Sequence, residues 1–180
     1  LEFLNTTMYW EVGGLKVNEQ QSANVPVTTI NNKAYYNHLY GTINAEFVVL
    51  NGKRKLNYII PKSDAIVGAP ANATYLVFTE KITIPNNWSY LNTEEGLVIS
   101  NEKQEKIYLY SNPYSFDETG KKLRNNNTLM TVEAQGNTLT IATKVKTSWL
   151  LSTDRVFPIT VDPTVTVYPD MSNINTGSAY

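Results

Sequence analysis

The chain has 180 residues, enough for one sizeable core or two small ones, since domains most often run to about 100–150 residues. Only 17% of its residues are charged and the formal net charge is −1, so no basic field is present to hold nucleic acid or an anionic membrane surface. Cysteine is absent, which removes disulfides and thiolate metal sites, and the longest apolar run, Phe47 to Leu50, is far too short for a membrane span. Twelve tyrosines among many Thr and Asn residues suit pleated, half-buried surfaces with polar turns, and this composition argues for an all-β protein.

In chain order, Met8 to Val12 reads as a strand around Trp10, closed by a tight turn at Gly13 and Gly14. Residues 15–24 are polar and carry no clear period. Val25 to Ile30 reads as a strand pushed to a sheet edge by Pro26, with a turn at Asn31 and Asn32. The strongest local signal is Ala45 to Leu50 and Lys53 to Ile60 about Asn51 and Gly52. An Asn-Gly pair takes the two positive-φ positions of a type I′ hairpin turn. In the second arm Leu56, Tyr58 and Ile60 alternate with Lys55, Asn57 and Ile59, which predicts one buried face.

Lys62 to Ala73 is a loop of small residues, followed by strand material at Thr74 to Phe78 and Glu80 to Ile84 and a stop at Pro85, Asn86 and Asn87. Leu97 to Ser100 and Lys106 to Tyr110 form a hairpin with a longer loop. Ser111 to Asn127 reads as loop, with a small turn at Asp117 to Gly120. Thr128 to Ala134 and Thr138 to Val145 make another hairpin across Gln135, Gly136 and Asn137. Then Phe157, Ile159 and Val161 alternate with Val156, Pro158 and Thr160 in the last strand, and Asp162 before Pro163 should stop and turn the chain.

No window demands a helix, and about ten short antiparallel strands with long loops predict a β-sandwich. Residues 1–34 read as entry strands, either a smaller section of their own or part of the same sandwich, 35–165 as the main module and 166–180 as a linker toward a following module. Leu1 and Glu2 read as a remnant of cloning, and any export signal is expected outside the sequence. Pro26, Lys144 and Lys146 are expected to guard edge strands against pairing with other chains.

Residues 148–164 include Trp149, Leu150, Asp154, Arg155, Val156 and Phe157, leading into Pro158 through Pro163. This stretch resembles the end of the β-rich domain that precedes repeats in Rhs and YD-repeat proteins. Asn51, Gly52 and Lys53 leading into Leu56 and Ile60 resemble its hairpin, and Leu97 to Tyr110 followed by Asp117, Gly120 and Lys121 resembles its paired strands and turn. Tyr36 to Pro61 is similar to a Tyr-rich opening segment of related secreted proteins, so the resemblance covers about residues 35–165. It implies a secreted, non-catalytic spacer or adhesion module within a multidomain protein of the bacterial cell surface, whose partners are the other domains of the same polypeptide and surface glycans or proteins. Adhesins and gliding-type proteins are candidate parents. Val165 to Tyr180 departs from the pattern in holding no YD-type repeat.

Catalysis finds little footing in these residues. His38 is the only histidine, and Tyr36, Asn37 and Tyr40 around it suggest a structural strand or turn rather than a nucleophile elbow. Glu94 with Glu95, and Asp117 with Glu118, are adjacent carboxylates that point apart on a strand and are solvated in a loop. Asp117, Glu118 and Thr119 before Gly120 offer oxygen donors that suit calcium, with a polar turn as the plainer reading; no other cofactor is expected. A carbohydrate-binding module would stack sugars on Trp88, Tyr90 and Trp10, with Tyr110 and Tyr114 as further rings, although aromatics in β proteins mostly serve cores and cross-strand pairs. A subunit of a surface assembly that pairs through an exposed edge strand is the third reading. The Asn-X-Ser/Thr sequons at Asn5, Asn72, Asn87 and Asn126 are what an Asn- and Thr-rich chain gives by chance.

Overall fold

In a computed structural model of the chain, residues 2–120 and 127–168 are described, and 61% is strand against 5% helix. The protein is all-β with antiparallel sheets, as its composition predicts. A first hairpin joins β1 (Glu2–Val12) to β2 (Leu15–Gln21), and residues 22–26 then carry the chain to the other sheet. There β3 (Val27–Ile30), β4 (Lys33–Tyr40), β5 (Ile43–Leu50) and β6 (Lys53–Ile60) follow as successive antiparallel neighbours. A 3₁₀ turn over Ser63–Ile66 leads to β7 (Tyr75–Thr83), β8 (Ser89–Thr93), β9 (Gly96–Ser100) and β10 (Lys106–Ser111). The remaining elements are β11 (Tyr114–Phe116), β12 (Thr128–Gln135), β13 (Thr138–Lys146), the single helical turn α1 (Thr147–Leu150), β14 (Ile159–Asp162) and β15 (Thr164–Val167).

The smaller sheet has the order β12-β13-β7-β1-β2. The larger runs β3-β4-β5-β6-β15-β10-β9-β8, with β14 between β6 and β11. Their inner faces share a core, which is what a sandwich requires. At one end Trp10, Leu76 and Phe78 of the smaller sheet meet Ile43, Tyr58 and Val161 of the larger. At the other, Ile82, Leu139 and Ile141 meet Leu97, Tyr110 and Val165. Tyr58 and Phe78 stack across the gap at 4.2 Å with ring planes 9° apart, a geometry that adds about 0.5–1.5 kcal/mol to their burial.

The hairpin about Asn51 and Gly52 forms as expected, with Leu50 opposite Lys53 and Gly52 at φ +66°. Val27–Ile30 is an edge strand, consistent with Pro26 just before it. Elsewhere the molecule differs from the sequence reading. Fifteen strands are described rather than about ten. The polar segment after Gly14 forms β2, the segment between Asn87 and Glu94 forms β8, and the loop after Ser111 contains β11. Residues 75–83 are one strand rather than two.

Two corrections concern position. Lys144 and Lys146 guard no edge, because β13 lies between β12 and β7; the Lys144 ammonium instead pairs with Glu11 at 2.5 Å on the outer face of the smaller sheet. Asp162 and Pro163 do not end the sheet. Proline lacks the N–H a ladder needs, so pairing lapses at one residue, and β15 then continues along β6 with Thr164 opposite Lys55. The last strand therefore lies in the interior of the larger sheet, flanked by β6 on one side and by β10 and β11 on the other. The strand starts later than read: residues 156–158 precede it, with Val156 and Pro158 exposed and Phe157 half-buried, and within β14 Ile159 and Val161 are buried as the alternation predicts. Lys121, the sequon at Asn126, all of the asparagine run but Asn127, and the linker beyond Tyr168 lie outside the described residues, as does the side chain of Asn5.

Candidate functional site

The polar chemistry of the fold converges on β6. Its alternation sends Arg54 inward beside Leu56, Tyr58 and Ile60, and sends the next residue, Lys55, to the outer face. Each cation there gathers a carboxylate and a tyrosine from distant parts of the chain.

On the inner face, Arg54 Nη1 donates to Glu80 Oε2 at 3.4 Å, and its Nη2 donates to Glu80 Oε1 and to the Tyr110 hydroxyl at 3.0 Å. The Tyr110 hydroxyl in turn donates to Glu80 Oε1 at 3.2 Å. Glu80 comes from β7 of the smaller sheet, so this triad crosses the sandwich. Burial, then the Glu80 carboxylate, push the Tyr110 phenol far above its ordinary range. For Arg54, burial favours the neutral form, but the charges and hydrogen bonds of Glu80 and Tyr110 more than offset it and hold the guanidinium charged.

Arg54 and Glu80 also line a cleft of about 520 Å³ between the sheets, walled by Val25, Tyr36, Phe47 and Leu56. The ion pair neutralises itself and the phenol keeps its proton. Val25, Tyr36, Phe47 and Leu56 are apolar or aromatic, so the Arg54–Glu80 pair is the charged part of the cleft wall.

On the outer face, Lys55 Nζ lies 2.5 Å from Asp162 Oδ2, which also accepts from the Tyr114 hydroxyl at 2.5 Å. Asp162 Oδ1 accepts from Thr164 Oγ1 at 2.8 Å. Burial lowers the affinity of Lys55 for its proton, but the hydrogen bonds and charges of Asp162 and Tyr114 together outweigh it and the pKa rises. Burial and the Asp162 carboxylate likewise raise Tyr114. Here all three partners, on β6, β14 and β11, belong to one sheet.

A third carboxylate, Asp117, is the centre of the calcium candidate. Its Oδ1 accepts from Thr119 Oγ1 at 2.5 Å and Thr119 N at 3.1 Å, and its Oδ2 accepts from Arg155 Nη1 at 3.0 Å and Val156 N at 3.5 Å. The Thr119 hydroxyl, the Val156 and Thr119 amides and the Arg155 charge hold its pKa below the ordinary value, against the effect of burial. Glu118 and Thr119 are exposed. A cation on Asp117 must displace Arg155, so the loop as folded is a closed turn in which a guanidinium already balances the carboxylate. Among the described residues no group of three or more His, Cys, Asp or Glu side chains is placed to hold a metal.

The aromatic candidates lie apart. Trp10 is 4% exposed within the core and offers no ring face to solvent. Trp88 is half-buried, with its ring 6.2 Å from Tyr108. Tyr90 is 42% exposed on the edge strand β8. His38 is exposed at φ +62°, where its Nδ1 donates to the Gly41 carbonyl at 3.1 Å and its backbone N–H donates to Asn44 Oδ1 at 2.8 Å. Glu94 and Glu95 form the exposed β8–β9 turn.

The two triads were not singled out in the sequence, although one signal for the inner triad was there. Arg54 and Glu80 each interrupt an otherwise apolar face of alternating residues, with opposite signs, on two different strands. Among the described residues no helix is long and apolar enough to cross a membrane. No family model, no curated protein and no solved structure matches the chain.

Proposed function

We propose that the chain is a non-catalytic structural or adhesive module of a secreted, multidomain bacterial surface protein. The observation that carries this reading is the use made of buried charge. Glu80 ties two sheets, Asp162 ties three strands of one sheet, and Asp117 ties the loop before the last strand to the turn after β11. Side chains of the kind that serve as acids and bases in enzymes are committed here to holding distant segments in register. The resemblance of residues 148–164 to the domain preceding repeats in Rhs-type proteins supplies the cellular setting.

The test is equilibrium unfolding of Arg54→Met, Glu80→Gln and the double variant Arg54→Met/Glu80→Leu. A structural tie predicts that each single change lowers stability by about 3–5 kcal/mol, because an uncompensated charge or carboxamide is left in the core, and that the double variant recovers most of the loss. Residues kept for binding or catalysis usually hold a fold below its best stability. Single variants that melt at or above the parent temperature therefore overturn the proposal.

A further inference from the structure

We infer that the β8 edge of the larger sheet pairs with β8 of a second copy of this chain, antiparallel and centred on Leu91. An unpaired strand presents free N–H and C=O groups, and proteins guard such edges with charge, proline, bulges or shortness. The other edges of the two sheets carry these guards, and β11, paired only with β14, is three residues long and follows Pro113. β2 holds Lys16, Glu19 and a positive-φ irregularity at Asn18; β12 holds Glu133; β3 is four residues long and follows Pro26. The row of outward residues leading in from β3 is also broken by cations, running Ile30, Lys33, Val48, Lys55 across four strands.

β8, at five residues, is only one longer than β3, but it has none of the other guards. Its sequence, Ser-Tyr-Leu-Asn-Thr, contains no charge and no proline, and it pairs with β9 without interruption from Ser89–Ser100 to Thr93–Gly96. Among the described residues its other side meets no strand. The outward row ending there is apolar over its last three strands: Leu109 pairs with Val98 and Val98 with Leu91, exposure rises from 8% at Leu109 to 66% at Leu91, and the polar Thr166 and Lys53 come only further in. A row of this kind is what the inside of a continuing sheet looks like.

The sequence of β8 also fits itself. A two-fold axis through Leu91 sets Leu91 against its own copy, Tyr90 against Asn92 and Ser89 against Thr93, so apolar meets apolar and no like charges face each other. The acidic turn residues Glu94 and Glu95 fall opposite the neutral Trp88 and Asn87. The pairing closes after two copies, because each copy contributes the same edge.

The experiment is sedimentation and light scattering of the chain over a wide concentration range, with three variants. The parent is expected to pass from monomer to dimer and no further. Leu91→Lys is expected to weaken association by about tenfold or more, since two ammonium groups then meet at the axis, while the melting temperature of the dilute monomer stays unchanged. Register is read separately. The chain contains no cysteine, and residues opposite each other in an antiparallel ladder lie within disulfide reach, so Leu91→Cys is expected to cross-link into a dimer under mild oxidation. Ile30→Cys, on the guarded β3 edge, serves as the control. A parent that stays monomeric at every concentration overturns the proposal. So does a dimer that survives Leu91→Lys, or a Leu91→Cys variant that cross-links no faster than Ile30→Cys.

Discussion

Arg54 and Lys55 are neighbours in sequence and face opposite ways, and each sits in a triad of cation, carboxylate and tyrosine. The inner triad joins two sheets through a buried ion pair. The outer triad joins three strands of one sheet, and its lysine remains a quarter exposed. The difference teaches that the same set of groups does unequal structural work depending on which side of a strand it occupies. Inside, both charges are about nine-tenths buried, and either one left without a partner stays without water. Outside, Asp162 is buried as deeply, but the Lys55 ammonium is a quarter exposed, so solvent can take over its charge when the carboxylate is lost.

The largest effect that would break this contrast is at Glu80. Glu80→Gln is expected to cost about 3–5 kcal/mol in denaturant unfolding, whereas Asp162→Asn on the outer face should cost only about 1.5–3 kcal/mol. Equal losses would erase the distinction between the faces. The tyrosines give a sharper, smaller version. Tyr110→Phe leaves buried Arg54 and Glu80 short of a hydrogen bond and should cost about 1–3 kcal/mol, while Tyr114→Phe should cost about 0.5–1.5 kcal/mol.

The smallest expected effect is on acid unfolding and involves neither triad. Asp117 is held below its ordinary pKa in the folded state, so the stability it contributes is present above the unfolded value of about 4 and disappears as pH falls through the lower folded value. Asp117→Asn should therefore lower stability at neutral pH and flatten its decline in that acid window. A slope identical to the parent's would show that Arg155 and the turn amides do not favour the ionised carboxylate.

Local signals were legible wherever one or two residues decide the backbone. Gly52 takes the positive φ that the β5–β6 turn needs, and Ile159 and Val161 alternate because one face of their strand is buried. β8 was missed for the opposite reason: an edge strand whose residues are all exposed has no buried face to imprint an apolar period. Asp162 was misread as a stop because Asp-Pro is a local turn signal. Its actual partners, Lys55 and Tyr114, lie 107 and 48 residues away, and nothing in the neighbouring sequence announces them. The number of strands was underestimated for a related reason, since β2 and β11 owe their form to the strands they pair with and not to their own composition.

The interior position of the last strand also sets an order of events. As the chain is made, β6 and the β10–β11 segment are complete while the strand that joins them is still missing, and each keeps an open edge until Ile159–Val167 arrives. Lys55 likewise waits 107 residues for its carboxylate. Pairings of such long sequence separation form late and slowly. A chain released before Ile159 should therefore expose two unsatisfied edges and aggregate, while the chain through Tyr168 closes its larger sheet in a single final step.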